Sequence, residues 1–352
     1  MPSVCIMPGD DATPEAVLPS VDVLKVLELD LDFRIMPSGA EGTERYGRKD
    51  FVQRVRDAMD AADTTLYGST SGTSPGLGYL RWGKGTYANV RPIRYLTGAR
   101  SPLAEPDGID FVIVRENMED MYVGVEGDVE ALAPLNLVNR LTRQPIDTTN
   151  GRYAIKIITE ANSRRILEFG FDLARKRKAL GHPGKVTASC KYNMLPHPDG
   201  LFREIAHDVA RQNPDIEFED YIVDDFARRI VAEPHALDVV VLPNLYGDIL
   251  SDEASGLVGG LGLAPSACYA DDFAYFEPVH GTAPDIAGTH TINPTATLLS
   301  AVLMLDWLEL PDAARRLESA VEAVYREGDS LTPDQGGSAT TDQFCAAVAR
   351  RL

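Results

Sequence analysis

Short apolar runs alternate with stretches of helical periodicity along most of the 352 residues. Residues 4–7 (VCIM) predict a strand and residues 9–11 a turn. A helix is expected from about Pro14, because proline suits a first turn whose amide would go unpaired anyway. Val17, Val21, Leu24 and Leu27 follow it at helical spacing. Residues 33–36 predict a second strand, 51–59 a helix and 65–67 a strand. Residues 111–114 (FVIV) predict a buried strand that runs straight into Arg115, Glu116 and Asn117. Residues 153–158 predict another strand and 161–179 a long helix. Residues 186–189 lead to Lys191. Residues 239–242 (VVVL) run into Pro243 and Asn244, with a helix expected from near Gly247. Strands alternating with helices specify an α/β protein. In such folds ligands sit at strand carboxyl ends, so the charged residues just past these apolar runs are the first candidates for chemistry. The length predicts about two domains, and no repeat or low-complexity segment divides them.

Charge narrows the classes of partner. A net charge of −19 argues against a general nucleic-acid binder, which needs a basic footprint. It argues equally against docking on an anionic membrane. It leaves a small anionic substrate open, because a local arginine cluster overrides the global sign. Cys5, Cys190, Cys268 and Cys345 are scattered, so neither a disulfide framework nor a cysteine zinc site is expected. No stretch reads as a membrane span or a leader. A cytoplasmic protein is the expectation.

Two glycine motifs look stronger than they are. Gly78 to Lys84 approximates a phosphate-binding P-loop, but Gly85 stands where that loop needs Ser or Thr for Mg²⁺. Gly83 to Ala88 fits G-x-G-x-x-A with no apolar strand before it. An ordinary glycine-rich loop is the better reading of both.

Four constellations carry more. Asp248 and Asp252 are four apart behind VVVL and share one helix face. Two neighbouring carboxylates suit a hard divalent cation, Mg²⁺ or Mn²⁺, although acidic residues also favour solvated helix starts. Arg81, Arg91 and Arg115 lie in or beside apolar segments. Three converging guanidiniums would hold a di- or tricarboxylate, whereas each alone suits an ordinary salt bridge. Lys191 and Tyr122 are candidates for acid–base work if neighbouring cations and a metal lower their pKa. The turn-rich loop 277–288, with Glu277, His280, Gly281 and Asp285, allows close backbone approach to a ligand, and an Asp there can hold ribose hydroxyls.

Together these segments resemble the β-decarboxylating dehydrogenases: the isocitrate, homoisocitrate and 3-isopropylmalate enzymes with their tartrate and D-malate relatives. MPGD resembles the family's opening turn, LRWGKGTYANVRP its two-arginine segment, VIVRENMEDMYVG its V-R-E-N…Y segment. KYN is similar to K-x-N, Val223-Asp224 to the segment 24 residues before the first Asp of N-x-x-G-D-x-x-S-D, and EPVHGTAPDIAG…INPTA to the cofactor loop. The resemblance covers nearly the whole chain. It implies an isopropylmalate dehydrogenase-like two-domain α/β fold of non-Rossmann type. The large cofactor-binding domain would take 1–97 plus 254–352, and the small substrate and dimerisation domain 98–253. A homodimer with shared sites, or a dimer of dimers, is implied as well.

The resemblance also implies roles. Arg81, Arg91 and Arg115 would bind the carboxylates of a 3-substituted malate, with Leu77 and Asn193 also facing substrate. Asp248 and Asp252, with Asp224 of the other subunit, would hold Mg²⁺ or Mn²⁺. Lys191, also from the other subunit, would take part in removing the hydroxyl proton, and Tyr122 would protonate C3. Glu277, His280, Gly281, Asp285, Ile286 and Asn293 would contact NAD, since Asp285-Ile286 follows the NAD pattern rather than the Lys-Tyr of NADP.

Several positions depart from the family. Its G-D-G-I-G-P-E opening is here GDDATPE. Residues 72–79 lack both the S-L-N of isocitrate enzymes and the extra arginine of homoisocitrate enzymes. Leu77 is compatible with an apolar isopropylmalate-type pocket, while VRENMEDMYVG and KYNMLPHPDGLF are most similar to the isocitrate/homoisocitrate branch. Tyr192, in place of a small residue, is expected near the pocket. The activity implied is NAD- and Mg²⁺/Mn²⁺-dependent oxidative decarboxylation of a 3-carboxy-2-hydroxy acid nearest the isocitrate/homoisocitrate branch. The alternatives are a 3-isopropylmalate, tartrate or D-malate dehydrogenase, an enzyme for a specialised (for example phosphonate) homoisocitrate analogue, or a non-catalytic regulatory subunit.

Overall fold

A computed structural model describes residues 1–352. The main sheet has ten strands, and a separate two-stranded hairpin stands apart. In chain order the strands are β1 (Ser3–Met7), β2 (Asp32–Ile35), β3 (Thr64–Tyr67), β4 (Ala88–Arg94), β5 (Asp110–Glu116), β6 (Glu126–Asp128), β7 (Arg152–Ala154), β8 (Lys185–Cys190), β9 (Glu217–Ile222), β10 (Val239–Leu242), β11 (Pro265–Tyr269) and β12 (Ala274–Pro278). The helices are α1 (Thr13–Val26), α2 (Gly39–Tyr46), α3 (Arg48–Asp60), α4 (Glu160–Ala179), α5 (Pro198–Gln212), α6 (Val223–Ala232), α7 (Asn244–Leu257), α8 (Thr295–Trp307), α9 (Pro311–Glu327) and α10 (Thr341–Ala349).

The sheet order is β2-β1-β3-β12-β11-β4-β5-β10-β8-β9. The two flanks are parallel, and their inner strands β1, β5 and β10 are the continuous apolar runs expected of strands buried on both faces. The three central pairs, β12–β11, β11–β4 and β4–β5, are antiparallel. Register there sets Ser266 opposite Glu277 and Asn89 opposite Arg115. The outermost elements of chain and sheet do not coincide: β11 and β12, from late in the sequence, occupy the middle.

The buried clusters follow the same division. Two draw only on residues 4–99 and 263–348, and two only on residues 87–258. Helix α8 has nine buried positions and is wrapped on nearly all sides, which explains its lack of a polar face. Helix α4 begins where the Thr159 hydroxyl accepts the Asn162 amide and ends on Lys176, Arg177 and Lys178, so both poles of its dipole are matched.

The expected strand at 153–158 shrinks to the three residues of β7. Beyond it Ile157 pairs singly with Asp120, because the turn carrying Asp120, not β6, lies alongside there. Helix α7 begins at Asn244, three residues earlier than expected. All four cysteines are buried free thiols. No helix is long and apolar enough to cross a membrane.

Candidate active site

A cavity of about 230 Å³ lies over the antiparallel centre of the sheet, and Ser69, Thr70, Leu77, Arg81, Arg91, Arg115, Tyr122, Asp248, Ser266, Glu277, His280 and Gly281 line it. Larger cavities exist elsewhere, but only this one gathers the candidates. Arg115 ends the apolar run of β5 and is 2% exposed; Arg91 on β4 is 7% exposed. Arg115 Nε donates to Asn244 Oδ1 at 2.9 Å, and its Nη1 pairs with Asp248 Oδ1. Arg91 Nη2 lies 3.3 Å from the same oxygen, and Arg91 Nη1 donates to Ser251 Oγ at 2.6 Å and lies 3.6 Å from Asp252 Oδ1. Gly247 makes this approach possible: a Cβ there would fall 2.7 Å from Arg115 Cβ.

Charges this dense shift one another. Burial, then the charge of Arg91, pushes the Arg115 guanidinium down to about 10 against the pull of Asp248, so it remains a cation at neutral pH. Burial opposes the Asp248 charge, but Arg115, the Tyr122 hydroxyl and Arg91 together hold its carboxyl below the usual range. Asp252, one turn on, moves the other way. Burial raises it, helped by the charge of Asp248, and outweighs Arg91 at 3.6 Å and the more remote Arg115. Two carboxylates with oxygen donors only, one of them under-compensated, fit a hard divalent cation.

Tyr122 sits on a short 3-10 turn (Met121–Val123) and donates to Asp248 Oδ2 at 2.6 Å. The expected lowering of its pKa does not occur. Burial and the bond to Asp248 raise it, outweighing Arg115 and Arg81. The phenol therefore keeps its proton, the form a proton donor needs. Arg81 comes from a single π-turn at Tyr79–Gly83, and its buried Nε has no partner. Glu277, grouped with the cofactor loop from sequence, lines the cavity beside His280 and Gly281 and also lies among the arginines. Burial raises its carboxyl, while Arg81 and Arg91 work to lower it.

Lys191 and Asp224 do not line this cavity. They pair with each other past the ends of β8 and β9, Lys191 partly exposed and Asp224 68% exposed at its side chain. Asn193 is exposed beside them. Within one chain no group of three His, Cys, Asp or Glu is arranged to hold a metal ion.

Two loops frame the cavity, and both hang from the opening turn. The Asp10 carboxylate accepts Thr70 Oγ1 (2.7 Å) and the amides of Ser71 (3.0 Å), Thr73 (3.1 Å) and Ser74 (2.9 Å), while its other oxygen accepts Ser74 Oγ (2.7 Å). The Glu15 carboxylate accepts the amides of Gly288 (2.5 Å) and His290 (2.7 Å). Neither role was read from the sequence; clustered Ser/Thr/Gly at 69–76 is the signal for a loop needing an external acceptor. Asp11, where the family has glycine, takes φ +52°, a left-handed conformation that Asp tolerates better than most residues. The departure thus keeps the turn.

In the second loop His280 reaches the cavity with a buried Nε2 that has no partner, and burial lowers its pKa. That unpaired atom fits a polar ligand group. Asp285 and Ile286 sit on the short turn Pro284–Ile286, Asp285 exposed and Ile286 packed toward Ala12 and Ala16. Asn293 departs from expectation. It is buried, and its amide is bound to Tyr325 Oη, Asp334 Oδ2 and the Thr295 amide, so it braces the loop from beneath. Tyr192 also departs: it packs under Arg203, 4.2 Å from guanidinium carbon to ring centre, and lines a different cavity. Lys84 pairs with Asp60 at 2.5 Å away from the site, in keeping with an ordinary glycine-rich loop.

Residues 3–348 match the family model described as isocitrate/isopropylmalate dehydrogenase. The chain is 41% identical to the 3-isopropylmalate/3-methylmalate dehydrogenase of Methanocaldococcus jannaschii, covering 100% of this chain and 99% of that one. It is 40% identical to the isocitrate/homoisocitrate dehydrogenase of Thermus thermophilus, with 99% and 98% covered. The crystal structure of isocitrate dehydrogenase from Methylococcus capsulatus superposes with a TM-score of 0.86 at 34% identity, covering 100% of this chain and 99% of that one. The chain belongs to the isocitrate/isopropylmalate dehydrogenase family and is a decarboxylating dehydrogenase acting on a CH–OH group.

Proposed function

We propose that the protein oxidises and decarboxylates a 3-carboxy-2-hydroxy acid, a 3-substituted malate nearest the isocitrate/homoisocitrate type, with NAD and Mg²⁺ or Mn²⁺. The observation that carries this is the convergence of Arg81, Arg91 and Arg115 with Tyr122 and Asp248 on one cavity. Three guanidiniums in a largely buried site suit a polycarboxylate.

Asp248 and Asp252 would hold the divalent cation, and His280, Gly281, Asp285 and Ile286 the NAD, with Asn293 bracing their loop. When bound, the two supply Lewis-acid polarisation of the substrate oxygen and a hydride acceptor. Arg81, Arg91 and Arg115 grip the carboxylates and fix C2 and C3 in place. Lys191 takes the hydroxyl proton as C2 is oxidised. Once the C3 carboxylate has left as carbon dioxide, Tyr122 gives its proton to C3. Its raised pKa keeps that proton available over the neutral range.

The reading requires a second copy of the chain. Lys191, Asn193 and Asp224 stand outside the cavity they would serve, and a homodimer sharing its sites supplies them from the partner. Exposed apolar side chains support the partner: Leu135, Leu137, Val138 and Leu141 between the hairpin strands, and Ile249 on α7. An isopropylmalate dehydrogenase-like division into 1–97 plus 254–352 and 98–253 is supported in outline by the buried clusters, which join the two chain ends and keep the middle apart, but they shift the seam: the buried residues of β4 and residues 254–258 pack with the middle of the chain.

A second reading, a substrate with an apolar C3 substituent of the 3-isopropylmalate type, is favoured by Leu77 on the cavity wall. One panel decides. Purified protein with Mg²⁺ is assayed on isocitrate, homoisocitrate, 3-isopropylmalate, D-malate and tartrate with NAD and with NADP. Highest kcat/KM on a tricarboxylate with NAD supports the first reading, and highest on 3-isopropylmalate the second. Silence on all substrates with both cofactors rejects catalysis and leaves a regulatory subunit.

A further inference from the structure

One buried charge cluster lies outside the cavity and has no part in the chemistry above. Lys156, just past β7, turns inward and is 12% exposed at its side chain. Its Nζ lies 2.6 Å from Asp199 Oδ1 and 3.3 Å from Asp120 Oδ1, both carboxylates fully buried, and 4.3 Å from the ring centre of Tyr246. Each carboxylate is also a bracket for backbone. Asp120 accepts the amide of Met121 at 2.9 Å and, with its other oxygen, the amide of Leu245 at 3.0 Å. Asp199 accepts the Lys191 amide at 2.7 Å and the Tyr246 hydroxyl at 3.0 Å.

The connections lead to three candidate residues at once. Asp120 precedes Tyr122 by two residues and is held at φ +71°, a conformation that persists only where its surroundings enforce it. Leu245 and Tyr246 open the helix that carries Asp248. Asp199 fixes the backbone of Lys191. One ammonium between two buried carboxylates therefore ties the Tyr122 turn, the first turn of α7 and the strand end bearing Lys191. Without the cation, two like charges would face each other out of water, and both brackets would loosen.

We infer that Lys156 is a positioning residue that holds Tyr122 and Lys191 in mutual register through Asp120 and Asp199. The inference rests on the roles proposed above for those two residues. In a dimer with shared sites, Tyr122 serves its own cavity and Lys191 the partner's, so one Lys156 governs a catalytic group in each of two sites.

The test uses the dimeric enzyme with its best substrate. Lys156→Met lowers kcat on the order of 10²-fold, the cost of displacing a catalytic group by about an ångström, with KM for NAD unchanged. Lys156→Arg, which keeps the cation, restores most of kcat. Hybrid dimers with one Lys156→Met chain fall well below half of wild-type turnover, whereas hybrids with one Lys191→Met chain keep half. Lys156→Met/Asp199→Asn relieves the repulsion between the two buried carboxylates and leaves Asp120 as the one charge, so it recovers part of the Tm lost in Lys156→Met while kcat stays low. Wild-type kcat in Lys156→Met, a hybrid that keeps half its activity, or recovery of kcat together with Tm in the double variant each overturns the inference. Tyr122→Phe and Lys191→Met are run as homodimers alongside. If they turn over normally, the catalytic assignment itself fails. If they are crippled while Lys156→Met is not, only the positioning role fails.

Discussion

The Arg115–Asp248 pair and the Lys191–Asp224 pair are made of the same ingredients and are built in opposite ways. The first is walled in by β4, β5 and α7, with a guanidinium 2% exposed that is bound to Asn244 and Asp248 of its own chain. The second stands at the surface, its carboxylate 68% exposed and paired with one lysine. A buried pair is fixed by its own chain before any ligand arrives. An exposed pair gains little from itself and owes its geometry to whatever comes to cover it. The contrast separates the half of the candidate site that the fold pre-forms from the half that, under the proposed function, a second chain would complete.

Substitutions sharpen the contrast. Arg115→Met has the largest expected effect: kcat/KM falls on the order of 10³-fold and stability by about 3 kcal/mol, because Asp248 loses its main partner in a buried setting. Steady-state kinetics and denaturant unfolding measure both, and loss of activity with unchanged stability would break the comparison. Lys191→Met should lower kcat on the order of 10²-fold or more while leaving Tm within about 1 °C of wild type, since an exposed pair contributes little. A large Tm drop there would show that the two pairs are not different in kind.

Asp285→Lys should lower kcat/KM with NAD by about tenfold or more, the value of a hydrogen bond to a charged group, and raise it with NADP. Unchanged cofactor preference would remove Asp285 from the site. Glu116 bears on stability rather than turnover: it is buried behind Arg115, where burial pushes the carboxyl up to about 7 although the amides of Met118 and Glu119 hold its charge. A raised folded pKa means stability present at acid pH and lost as pH rises through about 7, by at most about 3 kcal/mol. Glu116→Gln lacks that titration, so its Tm relative to wild type should rise between pH 5 and pH 8. A pH-independent difference would refute the assignment.

The sequence showed the buried half of the site more clearly than the exposed half. FVIV ending on Arg115 and VVVL ending near Asp248 are local patterns that the sheet simply executes. The convergence of Arg81 and Glu277 with them was not legible from spacing, because it depends on β11 and β12 inserting between β3 and β4 from far along the chain. Tyr122 was read with the wrong sign of pKa shift. Its surroundings contain arginines, but burial and the carboxylate at 2.6 Å together outweigh them. Asn293 and Tyr192 were placed by motif alone, and motif carries no information on which face a side chain takes. The strand at 153–158 failed for a related reason: Lys156 and Ile157 bond to the turn at Asp120 instead of extending a ladder.

The Asp10 carboxylate grips the loop at 71–74 largely by backbone amides and at its edges by small hydroxyls. Such an anchor is indifferent to most of the side chains the loop displays. Leu77, just beyond the anchored stretch, lines the cavity, and its side chain can be exchanged while the loop keeps its shape. The module is portable because its fastening lies in another part of the chain.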